Sequence, residues 1–239
     1  MTAWPSGVGQ LRLQEIDSTN EEARRRAAAG GAEHGPLWIL AKRQSAGRGR
    51  RGRAWETLEG NLAATLLLRP ARSPAAQLSF AAAVAVAEMA ASFAPQAAIT
   101  VKWPNDVLAN GQKLAGILLE AGTGWLAVGI GINLAHFPEG TEFPATSLAA
   151  LGVVPPTSEA ALTVLAARFA HWQGVWEKQG FEPVRTAWLA RAGGLGLPIR
   201  ARLPHEETEG AFEGIDATGA LLLRQPGGVR AITAGEVFF

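Results

Sequence analysis

Apolar and polar positions alternate along this chain in two rhythms, and the changes of rhythm mark out the elements. Ser18-Thr19-Asn20-Glu21 fits a capping box, and residues 23–29 follow with good helix propensity until Gly30-Gly31 stops them. Residues 37–41 form a short continuous apolar run, the pattern of a buried strand. A Gly/Arg loop over 44–53 separates it from a second strand at 61–68, closed by Pro70. The alanine-rich stretch from 74 to 93 reads as a helix. Residues 99–103 read as a strand, and 106–109 and 113–120 as two strands joined by the hairpin turn Asn110-Gly111. In the strand at 125–133, Gly129 and Gly131 leave one face without side chains, which suits close approach of a ligand or another backbone.

Leu162, Leu165, Phe169, Trp172 and Trp176 then recur at three- and four-residue spacing, one apolar helix face, and a shorter helix covers 182–191. Gly193-Gly194-Leu195-Gly196 marks a shift of composition. Beyond it lie four strand-like runs, at 198–203, 210–215, 220–224 and 229–233, separated by turn-forming residues. This tail is too small to be stable alone and is expected to pack on the rest. The expected organisation is an α/β domain on a mixed sheet over residues 1–192, followed by a small SH3-like β module over 193–239. No internal repeat is visible.

Of the 239 residues 48% are hydrophobic and 18% charged, a globular balance with material for a core. The net charge of +1 gives no general case for a nucleic-acid partner. The absence of cysteine excludes a disulfide framework, a cysteine metal site and a thiol nucleophile. The first 14 residues do not read as a secretory signal, and residues 80–94 are shorter than a bilayer requires. A cytoplasmic location and no membrane partner are therefore expected. His34, His136, His171 and His205 lack metal-ligand spacing and read as structural.

Gly47-Arg48-Gly49-Arg50-Arg51-Gly52 matches the dinucleotide fingerprint G-x-G-x-x-G, but the context is wrong. No helix opens inside the glycines, and no acidic residue follows about 20 positions on. Two alternatives are a solvated loop and a nucleic-acid contact through Arg48, Arg50, Arg51 and Arg53. A third is a loop that closes over one small anion and excludes water.

Five pieces occur in order: Ser18-Thr19-Asn20; Gln44-Ser45-Ala46 with the Gly/Arg run to Arg53; Lys102-Trp103-Pro104-Asn105-Asp106; Lys113-Leu114-Ala115-Gly116-Ile117-Leu118-Leu119-Glu120; and Gly129-Ile130-Gly131-Ile132-Asn133. Together they strongly resemble the bacterial biotin–protein ligases, and the tail adds Gly214 to Leu221 and Gly235-Glu236-Val237, similar to that family's C-terminal module. The resemblance implies an ATP-dependent ligase. It would activate biotin with Mg-ATP to biotinyl-5′-AMP and pass biotin to a lysine of a carrier, the biotin carboxyl carrier protein of acetyl-CoA carboxylase or another biotin-dependent carboxylase. Only 17 residues precede Ser18, too few for the helix-turn-helix domain of the family's repressor members, so the monofunctional type without DNA binding is expected. Monomer and homodimer both remain open. A lipoate–protein ligase is the nearest alternative, and a non-enzymatic nucleic-acid-binding module the alternative of another class.

The resemblance implies roles residue by residue. Ser18, Thr19, Asn20, Gln44, Arg48, Gly49, Arg50, Lys113 and Gly116 would contact biotin; helix capping is a compatible role for the first three. Arg48, Arg50, Arg51, Trp55, Lys102, Asn105, Gly129, Gly131 and Asn133 would contact the nucleotide, with Trp55 beside the adenine. Lys113 and Arg50 would be catalytic: two anions must meet, and a fixed cation relieves their repulsion. Mg²⁺ would be carried mainly by the ATP phosphates, with Asp106 a candidate ligand. Arg53 and Arg168 are open.

Overall fold

In the computed structural model, which describes residues 3–30 and 35–239, the chain forms a mixed seven-stranded sheet and a second, antiparallel sheet of five strands. The first seven strands are β1 (Gly9–Ile16), β2 (Leu37–Gln44), β3 (Leu62–Leu68), β4 (Ile99–Lys102), β5 (Asp106–Ala109), β6 (Gln112–Gly122) and β7 (Trp125–Ile132). Their spatial order is β1-β2-β3-β7-β6-β5-β4, and only β1–β2 is parallel.

β1 is the element the sequence reading omits. Leu11 and Leu13 alternate with Arg12 and Gln14 at strand period, and both leucines pack on the small cluster of Ala23, Ile39, Leu67 and Ala127. The β5–β6 hairpin forms as expected. Asn110 and Gly111 both adopt positive φ, 50° and 78°, as a two-residue turn of this hand requires.

The helices are α1 (Thr19–Ala28), α2 (Leu78–Phe93), α3 (Ser158–Gln179) and α4 (Phe181–Leu189). α2 is apolar on nearly every side and is correspondingly buried, with Ala81, Ala82, Val84, Ala85 and Val86 fully covered. It packs on one face of the main sheet beneath α3 and α4, and Phe80 meets Phe181 and Trp188 edge-on at 5.3 and 5.5 Å between ring centroids. Leu162, Leu165, Phe169 and Trp176 of α3 are buried as expected, and Thr157 caps that helix by accepting from Ala160 N at 3.2 Å. α1 lies on the opposite face. Ser18 has the extended backbone of an N-cap, but its side chain makes no capping bond, so the anticipated capping box is not formed. The Ser18 N–H donates to Asp17 Oδ1 at 2.7 Å, and Glu21 pairs instead with Arg24 and with Arg48.

The tail forms β8 (Pro198–Arg202), β9 (Glu207–Ile215), β10 (Leu221–Gln225), β11 (Gly228–Ile232) and β12 (Glu236–Phe238), in the order β11-β10-β9-β8-β12. The expectation of four strands misses β12, which is only three residues long. This SH3-like sheet is fastened to the rest. Trp103 Nε1 donates to Gly219 O at 3.0 Å, buried Gln77 donates to Ala217 O at 3.2 Å, and the Trp188 and Phe212 rings meet edge-on.

Candidate active site

The face of the main sheet that carries α1 also carries a cavity of about 490 Å³, within the range of small-molecule sites. Two cross-strand rows build its floor. In the first, Lys102 of β4 faces Asp106 of β5, Asp106 faces Gly116 of β6, Gly116 faces Gly131 of β7, and Gly131 faces Ala63 of β3. Directly opposed residues in antiparallel strands share a face, so charge stands at one end and bare backbone in the middle. In the second row, Thr65 of β3 faces Gly129, which faces Leu118 of β6.

The glycines make room for side chains of this chain. A Cβ on Gly131 would run into the Trp55 ring, and one on Gly116 would come within 3.1 Å of the same ring. A Cβ on Gly129 would collide with the Asn20 amide. Asn20 and Trp55 thus sit on the floor side by side.

At the α1 end, Thr65 Oγ1 lies 2.8 Å from Thr19 Oγ1 and 2.6 Å from Asn20 Oδ1. Gln44 Oε1 accepts from Thr19 N at 2.7 Å and from Thr19 Oγ1 at 3.0 Å, while its Nε2 donates to Thr57 Oγ1 at 2.9 Å. Asn20 Nδ2 donates to Glu120 Oε2 at 2.7 Å and to Leu118 O at 3.4 Å. Ser18, Thr19, Asn20 and Thr65 are all buried, so this is a desolvated polar cluster with its partners supplied.

At the other end, Lys113 Nζ lies 2.7 Å from Asp106 Oδ1, oriented as an ion-pair contact rather than an aligned hydrogen bond, and 5.8 Å from the Trp55 ring centroid. Lys102 Nζ is held 3.5 Å over the Phe143 ring and 5.6 Å from that of Phe238. Burial pushes the Lys102 pKa down from 10.5 to about 8, partly offset by the Asp106 carboxylate. Asn105 Nδ2 donates to Ile117 O at 2.6 Å, and Asn133 Nδ2 to Thr146 O at 3.0 Å.

The arginine loop closes over the cavity as a small hairpin, with Gly49 N donating to Arg53 O and Trp55 N to Gly47 O. β12 pins it from above. Arg53 grips Glu236 through both carboxylate oxygens, at 2.9 and 3.0 Å, and Arg51 lies 3.5 Å from the same carboxylate. Arg50 Nη1 reaches Gly235 O at 3.3 Å and Asn105 Oδ1 at 3.4 Å, and burial lowers its pKa from the ordinary value. Arg48 points the other way, to Glu21 Oε2 at 3.2 Å.

The cavity gathers Ser18, Thr19, Asn20, Gln44, Arg48, Gly49, Arg50, Trp55, Lys102, Asn105, Asp106, Lys113, Gly116, Gly129, Gly131 and Asn133. Arg53 also lines it. Arg51 does not; its side chain is spent on Glu236. Arg168 lies in α3 and faces Glu88 at 3.9 Å, away from the cavity. Residues that sequence reasoning did not single out include Thr65, Phe143, Glu236 and Phe238; only Glu236 sat inside a recognisable motif. Among the described residues no cluster of three acidic or histidine side chains could hold a metal. His34 lies outside the described residues. Asp106 is the one carboxylate on the cavity floor, a donor set that suits a Mg²⁺ carried chiefly by substrate phosphates.

Comparisons with known proteins converge on one family. Residues 14–135 match the Biotin/lipoate A/B protein ligase family, and residues 194–239 match the Biotin protein ligase C terminal domain. A biotin–[acetyl-CoA-carboxylase] ligase of Paracoccus denitrificans is 47% identical over 95% of this chain and 99% of its own length. A ligase of the same name from Mycobacterium tuberculosis is 35% identical over 97% and 90%. The biotin protein ligase from Aquifex aeolicus, solved in complex with biotin and ATP, superposes with a TM-score of 0.85 at 27% identity, covering 96% of this chain and 97% of that one. This chain belongs to the biotin/lipoate A/B protein ligase family and, within it, to the biotin–protein ligases.

Proposed function

We propose that the cavity joins biotin to ATP and then passes biotin to a lysine of a biotin carboxyl carrier domain, with residues 1–192 as the catalytic unit and 193–239 as a module that completes the site. The observation that carries this reading is the polarity of the floor. Buried hydroxyl and amide groups stand at the α1 end, and Lys113, Lys102 and Asp106 stand at the far end of one cavity.

Biotin's ring would lie against Ser18, Thr19, Asn20 and Gln44, with Arg48, Gly49 and Gly116 along its length. Its carboxylate would then approach Lys113, exchanging with Asp106 as that ammonium's partner. The carboxylate oxygen attacks the α-phosphorus of ATP and pyrophosphate leaves, giving biotinyl-5′-AMP. Lys113 and Arg50 lower the repulsion between the two anions and stabilise the charge that develops. Lys102 and Asn105 would meet the phosphates, while Trp55, Gly129, Gly131 and Asn133 would frame the nucleoside. Mg²⁺ bound with ATP, with Asp106 at hand, would add charge neutralisation at the phosphates. In the second step a carrier lysine amine attacks the mixed-anhydride carbonyl and AMP leaves. The anhydride is open to hydrolysis, so the loop pinned by Glu236 has a clear use in excluding water. A cytoplasmic location is part of this proposal.

Purified protein incubated with biotin, Mg-ATP and a biotin carboxyl carrier domain should raise the carrier's mass by one biotin, and lipoate in place of biotin should leave it unmodified. A carrier of unchanged mass in the biotin arm contradicts the proposal.

A further inference from the structure

Asn20 is the residue whose surroundings say most about the substrate. Its amide spans bare Gly129 of β7, reaching Thr65 of β3 on one side and Glu120 and Leu118 of β6 on the other. A carboxylate accepts and never donates, so Glu120 obliges Nδ2 to face β6 and Oδ1 to face Thr65. Thr65 has one hydroxyl proton, and Asn20 Oδ1 at 2.6 Å has none to give, so that proton goes to Asn20. Thr65 Oγ1 therefore meets Thr19 with lone pairs only. Gln44 Oε1 is likewise an acceptor, because the Thr19 backbone N–H donates to it. Both inward neighbours of the Thr19 hydroxyl are acceptors, and its single proton is used within the protein. What Thr19 turns toward the cavity is lone pairs.

We propose that Glu120 is a positioning residue that sets the polarity of this row and so makes Thr19 an acceptor for a ring N–H of the substrate. The inference rests on the biotin-ligase reading given above and deepens it. If the Asn20 amide turned over, Nδ2 would donate to Thr65, Thr65 would donate to Thr19, and one Thr19 lone pair would be lost to the ligand. A cyclic urea carries the N–H groups this row selects; a dithiolane ring carries none. Glu120 therefore acts on substrate choice through Asn20 and Thr65.

The test is biotin binding and steady-state kinetics of the full chain. Glu120→Gln removes the carboxylate that fixes the Asn20 amide and leaves only the longer contact to Leu118 O, at 3.4 Å, to hold its orientation. It should weaken biotin binding by about tenfold, the weight of one hydrogen bond, and raise KM for biotin in step. The kcat value and KM for ATP should stay within about twofold, since those groups share no partner with Glu120. Asn20→Asp alone sets two carboxylates face to face and should also weaken biotin binding. Combined with Glu120→Gln it restores a donor–acceptor pair, with the new carboxylate still accepting from Thr65, and should recover most of the lost affinity. Any purely structural role would move both substrates together and would not be repaired by this exchange. The inference is overturned if Glu120→Gln leaves biotin affinity unchanged, if KM for ATP rises equally, or if the paired exchange binds biotin no better than the single variants. A wild-type chain that makes no biotinyl-5′-AMP would instead overturn the functional reading, so the two failures are distinguishable.

Discussion

Lys113 Nζ and Asp106 Oδ1 stand 2.7 Å apart at the charged end of the cavity floor, and Asp106 in turn lies opposite Lys102 across the strand pair. One carboxylate therefore keeps two cations near the same point. In the proposed reaction a substrate carboxylate or phosphate would exchange for Asp106 rather than meet two unscreened cations. Lys113→Ala should lower the rate of biotinyl-5′-AMP formation by about 10²–10³-fold, the usual loss when one preorganised cation or donor is removed. Transfer from preformed biotinyl-5′-AMP to the carrier should fall much less. Pyrophosphate-release and single-turnover transfer assays separate the two steps.

Arg50 and Glu236 also tie the loop to the C-terminal strand. Glu236 holds Arg53 bidentately and also touches Arg51, and Gly235 O receives Arg50. Arg50→Ala should speed release of biotinyl-5′-AMP by roughly tenfold, the weight of a charge-assisted bond, with a smaller effect on its formation than Lys113→Ala. Glu236→Gln should loosen the same loop from the C-terminal side and raise hydrolysis of the adenylate in the absence of carrier. Filter-binding decay of labelled adenylate measures both. Equal effects of Arg50→Ala and Lys113→Ala on formation, with release unchanged, would contradict this division of labour.

Gly129 and Gly131 offer a paired test of the floor. Gly131→Ala places a methyl group into the Trp55 ring, and Gly129→Ala into the Asn20 amide. Each should cost roughly 1–3 kcal/mol of stability through overpacking. Their kinetic effects should differ: KM for ATP rises in the first, KM for biotin in the second. Trp55→Ala in the Gly131→Ala background should recover stability but not ATP affinity. Thermal unfolding and separate titration of each substrate check this.

Lys102 ties stability to pH. Its pKa is about 8 in the fold against an ordinary 10.5, with burial the main cause. Between these values the unfolded chain holds a proton that the folded chain has lost, so stability from this group rises with pH through that window. The limiting slope is about 1.4 kcal/mol per pH unit. Urea unfolding of wild type and Lys102→Met at pH 7 and pH 9.5 isolates it: the wild type should gain on the variant at the higher pH.

Much of this architecture is legible in the sequence because it rests on local rules. The Asn110-Gly111 hairpin, the apolar face from Leu162 to Trp176 and the buried alanine-rich helix all follow from turn chemistry or periodicity, and the five ordered motifs converge on one cavity. What escaped depends on pairing between distant segments. β1 is a short alternating stretch that becomes a strand through parallel pairing with β2, and β12 has three residues. Glu236, 183 positions from Arg53, is adjacent to it only because the tail folds back on the loop. Thr65 lies in a strand that reads as uniformly apolar, so its hydroxyl carries no signal until Asn20 is placed above Gly129. The capping box misleads because other partners take its groups: the Ser18 N–H donates to Asp17, and Glu21 pairs with Arg24 one turn on and with Arg48 of the loop.

In the proposed reaction one cavity both activates biotin and delivers it. The most direct measurement is mass spectrometry of a biotin carboxyl carrier domain after incubation with this protein, biotin and Mg-ATP, with Lys113→Ala in parallel. The carrier should become heavier by one biotin with the wild type and gain that mass only after a strong delay with the variant. An unmodified carrier with the wild type, or equal rates with both proteins, would contradict it.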